Sequence, residues 1–423
     1  MKKVLLIVLS LSLANATTLT TLFNKLKQNA HTKSDILAIL QSRVNQKAIE
    51  AKLYPKLNLK LSANHYTFNN ALRPLTPKES KLLANSPQPF GHNIYKETII
   101  FSMPIYVKSI YTLEESAKVM QLSQRAKKRL NLIKNQALIV GADANLRYLE
   151  ELEGALKHKK QRLLTIRRIT KKAIKLGRLP ESELFKIDDK ISQIDISQLD
   201  IKLSKEKLKE SINSLTGLYL KHSVAIKKVQ KIRKNSFLAL QPLKIALRAN
   251  YLRAKAAKEQ RYPTVTMHSS YTLSQTNAYN TDSLVHENYG SIGIDANIPL
   301  YNKELNENIE LKKLEVLKSK IVIKKIEDEL KAKAKRLQKS LIMLYKEKRY
   351  YAKSIKNKRR LLNIARVSYE NQMMSIEEYL RYQDDLIYQE ANIFKVKAKI
   401  TETQAQLAML YGNNLERIFR WKN

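Results

Sequence analysis

Two regions of the chain alternate between apolar and polar residues. The first region sets Leu57, Leu59, Leu61 and Ala63 against Asn58, Lys60, Ser62 and Asn64. The second region sets Ile292, Ile294, Ala296 and Ile298 against Ser291, Gly293, Asp295 and Asn297. Successive side chains of a β-strand point to opposite faces, so each region predicts a strand with one apolar face. With their partner strands, these regions predict β-hairpins over about 57–103 and about 264–298, whose return strands lie near 97–103 and 289–298.

Long stretches with few helix breakers follow both hairpins. After Pro104 and after Pro299 this character continues for about 70 residues, which corresponds to roughly 100 Å of α-helix. A second helix then returns toward Gly217 or Gly412. Its apolar residues recur at helical spacings, as in Ile187, Ile191, Ile194, Leu199 and Leu203. This pattern predicts that outgoing and returning helices pair as in a coiled coil, with turns near 177 and 372.

The chain contains the same plan twice. Three landmark pairs are each 195 residues apart, namely Pro104 and Pro299, Gly177 and Gln372, and Gly217 and Gly412. Pro55 and Pro263 are 208 residues apart, so the first copy has extra residues, which we place in an enlarged loop over 69–92. We therefore predict a first repeat over 17–217, an inter-repeat segment over 218–242, a second repeat over 243–412 and a C-terminal tail over 413–423.

The N-terminus has the layout of a secretory signal. Lys2 and Lys3 precede the short apolar run 4–13 and the cleavage motif at 14–16, so we assign residues 1–16 to a signal peptide. No later segment has about 18 consecutive apolar residues, so no transmembrane helix is predicted. Because the chain has no cysteine, we expect neither disulfides nor a lipid anchor on an N-terminal Cys.

The formal net charge of +40 is extreme for 423 residues. Nucleic-acid binding is one explanation of such an excess. The other explanation is that lysines cover the polar faces of long helices, and we favour it because the lysines occur throughout the helical stretches without an accompanying RNA-binding motif. In either case the excess would give a positive potential to any lumen that these helices line.

Four amphipathic strands cannot form a closed sheet alone. Their apolar face needs an apolar medium, open sheet edges are not tolerated in lipid, and closed membrane barrels need about eight strands or more. Several chains are therefore required, and three would supply twelve strands. A barrel joined to a hollow helical cylinder would form a conduit. A soluble coiled coil with accessory hairpins is the alternative, but it leaves the apolar faces unexplained.

This doubled order of motifs resembles the outer-membrane factor (TolC) family of efflux and type I secretion channels. The residues concerned are the Tyr-Pro turns at 54–55 and 262–263, the Pro-apolar-Tyr motifs at 104–106 and 299–301, the tip motifs at 174–184 and 369–380, and the closures at 217 and 412. Each motif alone is weak. Together, in this order and with this shared register, the motifs cover essentially the whole mature chain.

The resemblance implies a mainly α fold with a small membrane β part. Four strands per chain would contribute to a trimeric twelve-stranded barrel in outer-membrane lipid of a Gram-negative bacterium, and long antiparallel helices would form an α-barrel across the periplasm. It implies a homotrimer with a periplasmic adaptor (membrane fusion protein) and, through it, an inner-membrane pump of RND, ABC or MFS type. The duct itself would be no enzyme and would need no cofactor.

The resemblance places the adaptor at the helix turns. The tips would be formed by Gly177, Arg178 and Leu179 in the first repeat and by Gln372, Met373 and Met374 in the second. Gly177 fits the family pattern because glycine adopts left-handed dihedral angles, whereas Gln372 departs from it. The alternative is that Leu179 and Met373 only cap the coiled coil. Two adjacent Met residues without Cys indicate packing rather than a soft-metal site.

Four charged residues beyond the tips are candidates for an entrance gate. Glu183 and Glu378 occupy matching positions, where family members often place acids around the closed entrance, and rings of carboxylates can seal a pore through their partners. Three residues further on, Lys186 and Arg381 depart from the second acid of some relatives. A mixed ring would be less cation-selective than an all-acid one. Ordinary helix-surface pairing at i,i+3 is the equally weighted alternative.

Motifs for catalysis are absent from the sequence. It has no phosphate-binding loop G-x-x-x-x-G-K-[ST], and its seven histidines show no metal-ligand spacing. We therefore expect no catalytic residues and no metal site. Two further functional classes stay open. One is a basic coiled coil that binds nucleic acid or serves a structural role, and the other is a phage receptor or adhesin that uses the loops at 69–92 and 275–288.

Overall fold

The computed structural model describes residues 18–83, 86–224, 226–371 and 373–421. The predicted signal peptide and Gln372 lie outside these described residues. The chain divides into two compact units. The helical unit comprises residues up to 37, 125–241 and from 324 onward, and the sheet unit comprises residues 38–124 and 242–323.

Nine α-helices and six strands are found in the described residues. The helices are α1 Leu19–Gln28, α2 Ala30–Glu50, α3 Pro77–Leu82, α4 Lys108–Lys175, α5 Ser182–Thr216, α6 Leu240–Glu259, α7 Lys303–Glu370, α8 Ile376–Leu410 and α9 Leu415–Ile418. The strands are β1 Lys56–Ala71, β2 Phe90–Tyr106, β3 Ile226–Lys228, β4 Thr264–Asn277, β5 Leu284–Asn297 and β6 Phe419–Trp421.

The sheet unit contains an antiparallel sheet in the order β1-β2-β4-β5. Its register separates the two faces as the alternation predicts. On the polar face, the hydroxyls of Thr98 and Thr272 are 3.0 Å apart. On the opposite face, Leu57 and Ile292 are 71% and 73% exposed in the single chain. Large apolar side chains on this face are thus left uncovered by the described part of the chain.

Both return strands are longer than the alternation indicated. They begin at Phe90 and Leu284, whereas the sequence suggested strands near 97–103 and 289–298. The added residues include Asn93 and Glu287, and polar residues on both faces hide the period-two signal there. Backbone pairing with β1 and β4 extends the strands nonetheless.

The loop between β1 and β2 folds over the polar face of the sheet. Leu72 is fully buried, and its carbonyl accepts a hydrogen bond of 3.2 Å from the Ser274 hydroxyl on β4. Arg73 Nε lies 2.8 Å from Glu287 Oε2 on β5. The loop also holds α3, which begins with a capping box formed by Thr76 and Glu79. The sequence predicted an enlarged loop but not its direction.

The two repeats produce helices of equal length. Helices α4 and α7 have 68 residues each, and α5 and α8 have 35 each, as the doubled register and the long breaker-poor stretches predict. The main core of the helical unit joins α1, α4, α5, α8 and α9, and its fully buried side chains include Leu22, Phe23 and Ile139. Strand β6 extends this packing because it pairs with β3 of the inter-repeat segment.

Two acidic residues of α4 form hydrogen bonds with the segment that follows α5. Asp143 is fully buried, and its Oδ1 accepts a 2.6 Å hydrogen bond from the Val224 backbone N–H. Glu150 accepts hydrogen bonds from the backbone and the hydroxyl of Ser223. Asp143 Oδ2 has no hydrogen-bond partner in the described part of the chain. Burial raises the pKa of Asp143 from 3.8 to about 7, while the Val224 bond opposes the rise.

Candidate functional site: the helix tips and the charged residues beyond them

The first tip closes α4 with a glycine C-cap. Gly177 has φ of +67°, its N–H donates to the Ile174 carbonyl, and the Arg178 N–H donates to the Ala173 carbonyl. These two bonds form a Schellman motif, which satisfies carbonyls at the end of the helix and needs a left-handed residue. The resemblance predicted this role for Gly177. Arg178 and Leu179 are exposed beyond the motif.

The second tip repeats the turn but begins its return helix differently. The Met373 N–H donates to the Ser368 carbonyl at 2.8 Å, which is the counterpart of the Arg178 bond. Ser375 then caps α8 because its hydroxyl accepts from the Glu378 backbone N–H. Met373 is 83% exposed, and Met374 is half-buried. Gln372, the residue that departs from the glycine pattern, is outside the described chain.

We predict that Gly177→Ala destabilises the first tip by about 1 kcal/mol, because a left-handed conformation costs a residue with a Cβ roughly this amount. Gly154→Ala is the matched control. Gly154 lies inside α4 with open space around it, so alanine should stabilise the helix there. Hydrogen–deuterium exchange should show faster exchange at the tip only for Gly177→Ala. Equal protection in both variants would contradict the assigned role of the positive φ.

The predicted gate residues form ion pairs, with one partner that the sequence did not indicate. Lys186 Nζ lies 3.0 Å from Glu183 Oε1 and 3.2 Å from Glu377 Oε2. Lys186 thus links α5 to α8. The hydrogen bonds that Lys186 donates to Glu183 and, with a smaller effect, to Glu377 raise the pKa of Lys186. Arg381 lies 3.7 Å from Glu378 within α8.

Asp384 forms the second link between the hairpins. Its carboxylate contacts Lys159 on α4, and its Oδ2 lies 3.6 Å from Lys190 on α5. Lys159 retains 13% of its side-chain exposure, so most of the side chain is removed from water. The apolar contact beside these pairs joins Leu163 and Ile187 of the first hairpin to Leu380 of the second. Three helices therefore meet at Asp384.

Sequence analysis missed Glu377, Asp384, Lys159 and Lys190. Their pairs join residues of different repeats, so neither local i,i+3 spacing nor the 195-residue offset reveals them. One signal in the sequence does indicate that Asp384 and Lys190 face a neighbouring helix. Each lies on the face of its own helix that also presents an apolar residue, Leu380 on α8 and Ile187 on α5. Three of the missed residues, Glu377, Asp384 and Lys190, border a groove of about 570 Å³ between α5 and α8, which also includes Glu183, Lys186, Glu378 and Arg381.

The described residues offer no alternative site of a familiar chemical type. No group of three or more His, Cys, Asp or Glu side chains in 18–83, 86–224, 226–371 and 373–421 could hold a metal ion. No helix of these same ranges is long and apolar enough to cross a bilayer.

No protein-family model and no curated protein sequence matches the chain. Its fold does match solved structures. The CmeC outer membrane channel of Campylobacter jejuni aligns with a TM-score of 0.77 and 16% identity over 94% of this chain and 86% of its own. The outer membrane protein VceC of Vibrio cholerae gives 0.75 and 13% over 94% and 97%. The MtrE outer membrane channel of Neisseria gonorrhoeae, in its open state, gives 0.72 and 13% over 94% and 90%.

At this level of identity the likeness concerns the fold. The chain has the fold of outer-membrane channel proteins, with two repeats that each contribute a β-hairpin and a long helical hairpin. This is the fold that the resemblance to the outer-membrane factor family predicted.

Proposed function

We propose that the protein is an outer-membrane channel, the passive exit duct of a tripartite efflux or type I secretion system. Three chains would close a twelve-stranded barrel in the outer membrane, and their helices would form the periplasmic tunnel. A periplasmic adaptor would dock at the tips and connect the duct to an inner-membrane pump. The energy for transport comes from that pump, so the duct performs no catalysis.

The amphipathic sheet is the observation on which this proposal depends most. One face presents Leu57, Leu59, Ile292 and Ile294 to the surroundings of the single chain, and the opposite face carries many hydroxyl groups together with charged side chains. Strands β1 and β5 are the free edges of the sheet. Both features agree with a sheet that is completed by further copies and surrounded by lipid.

The tips suit adaptor docking because they combine apolar exposure with ion pairs. Leu176, Phe185 and Met373 are each at least two-thirds exposed in the single chain. The pairs of Lys186 with Glu183 and Glu377 lie on the adjoining helices. We propose that these pairs hold the periplasmic entrance narrow, and that an adaptor which binds the exposed residues separates α5 from α8.

A basic coiled coil that binds nucleic acid is the second candidate, and the net charge of +40 is the observation that favours it. A single experiment can separate the two functions. Protein purified in detergent should form stable pores in planar bilayers, and Glu183→Ala/Glu378→Ala should raise their conductance, because Lys186 and Arg381 lose partners.

Glu310→Ala is the matched control for this experiment. Glu310 also forms an i,i+3 pair, with Lys313, but on α7 far along the chain from the tips. Pores that respond to the tip variant alone support the gate. Pores that respond to neither variant support the duct without the gate. Protein that forms no pores, stays soluble without detergent and is retained on DNA would refute the channel.

A further inference from the structure

The polar face of the sheet carries an uneven set of charges. Its charged side chains in the paired strand positions are Lys56, Lys60, Lys96, Glu287 and Asp295. The two acids are both partnered. Glu287 binds Arg73 of the loop at 2.8 Å, and Asp295 Oδ2 lies 2.8 Å from His268 Nδ1 on the neighbouring strand.

The three lysines have no ion-pair partner among the described residues. Lys60 stands opposite Thr98, and Lys96 stands opposite Ser62 and Ser274, so their nearest cross-strand neighbours are hydroxyl groups. The apolar face has a different balance, because Glu97 is its one carboxylate within the paired strand positions. The cationic excess is thus specific to one face of the sheet.

The loop that folds over the polar face does not cancel this excess. Its helix α3 presents Lys78 and Lys81, both exposed, and its acid Glu79 already accepts from Arg73 at 3.3 Å. Helix α3 and the loop arginine therefore add more positive than negative charge beside Glu287. Hydrogen bonds of the Thr76 backbone and side chain hold the pKa of Glu79 below its ordinary value.

We propose that this face makes the barrel lumen anion-selective and that the cargo consists of anionic compounds, which carry carboxylate, phosphate or sulfonate groups. The inference rests on the proposed channel function. Three chains around one lumen would bring three copies of each unpaired lysine together between low-dielectric walls. Such an arrangement focuses the field and concentrates anions, and rings of lysine or arginine are typical of anion pores.

The charges at the helix tips do not produce the same effect. There Glu183 and Glu377 face Lys186, and Glu378 faces Arg381, so acids and bases are nearly balanced. Ion selectivity that originates in the barrel should consequently change when the lysines of the strands are substituted. A gate at the tips would instead change the size of the conductance.

The test is the reversal potential of open pores in a KCl gradient. Wild-type pores should prefer chloride, and Lys60→Gln/Lys96→Gln should lower the chloride-to-potassium permeability ratio at least about two-fold. Lys60→Glu/Lys96→Glu should invert the preference. Glu97→Gln is the control, because it removes one unit of charge, as each lysine substitution does, one residue from Lys96 but on the opposite face. It should leave the ratio unchanged.

The salt dependence of the chloride preference in the wild-type protein is a second test. Raising the salt to about 1 M shortens the Debye length to about 3 Å and should abolish most of the chloride preference. Open pores with cation preference, or with a ratio that the lysine variants leave unchanged, would overturn the inference but keep the channel. Failure of the wild-type protein to form any pore would refute the channel itself, so the two failures are distinguishable.

Discussion

Asp143→Asn is expected to remove a pH dependence from the segment that follows α5. In the wild-type protein, the free energy of opening this segment should fall as pH rises from about 4 to about 7 and stay constant above that. In the variant it should change little over this range. The rise of the Asp143 pKa from 3.8 to about 7 corresponds to at most about 4 kcal/mol.

The direction of this pH dependence follows from which state, folded or open, binds the Asp143 proton more tightly. The folded state raises the pKa of Asp143, mainly because burial disfavours the charged carboxylate, so between the two pKa values the folded state binds more protons than the open state. Rising pH therefore favours opening. Glu150 adds to the shift, and Arg147 and the Val224 N–H oppose it. Asparagine can still accept the Val224 hydrogen bond and does not ionise.

Hydrogen–deuterium exchange of residues 218–224 measures this effect. Variant and wild type are compared at the same pH, so the intrinsic exchange rate cancels. Asp188→Asn is the control of opposite sign, because the hydrogen bond from Arg167 lowers the pKa of Asp188 and its ionised form stabilises the fold. If the variant and the wild type differ by the same amount at pH 5 and pH 8, the raised pKa of Asp143 is wrong.

Most of the architecture could be predicted because the signals are local or repeated. Period-two alternation marked β1 and β5, and the shared register marked α4 and α7 as equivalent helices. The short elements β3 and β6 were missed, because each has three residues and forms only through pairing with the other. The direction of the loop at 72–89 was missed for a related reason. It depends on contacts of Leu72 and Arg73 with strands about 200 residues later in the chain.

The candidate site was predictable only in part. Gly177 could be assigned in advance, since few residues other than glycine tolerate the dihedral angles of a Schellman turn. The role proposed for Glu183 and Glu378 stays a prediction. The ion pairs of Asp384 could not be predicted from the sequence, because their lysines lie on two other helices. Which faces of α4, α5 and α8 meet depends on the packing of the whole helical unit. The domain boundaries proposed from the repeats also remain predictions.

Asp384→Asn is expected to loosen the contact between the two hairpins near the tips. The substitution preserves the shape of the side chain but removes its charge, and it leaves the mostly buried Lys159 without its carboxylate partner. Losing the charged partner of a mostly buried group in this way costs about 1 to 3 kcal/mol in each chain. Lys190, which is more exposed, should contribute less.

If these hairpins line the entrance of a trimeric duct, the cost is incurred at three symmetric positions, and the population of open entrances should rise several-fold. Pore conductance in planar bilayers should increase, and cells that carry the variant should become sensitive to large antibiotics that the outer membrane normally excludes. Asp385→Asn is the matched control. Asp385 is the next residue and has the same charge, but its 2.5 Å partner Lys358 belongs to the same hairpin.

The adjacent pair of variants separates two explanations of the tip charges. If charge pairs stabilise individual helical hairpins only, Asp385→Asn should matter at least as much as Asp384→Asn, because Asp385 and its partner Lys358 belong to the same hairpin. If contacts between hairpins hold the entrance closed, only Asp384→Asn should raise conductance, and Asp384→Lys should raise it further by placing three cations together. Equal conductance in both neutral variants would assign these charges to the stability of the coiled coils.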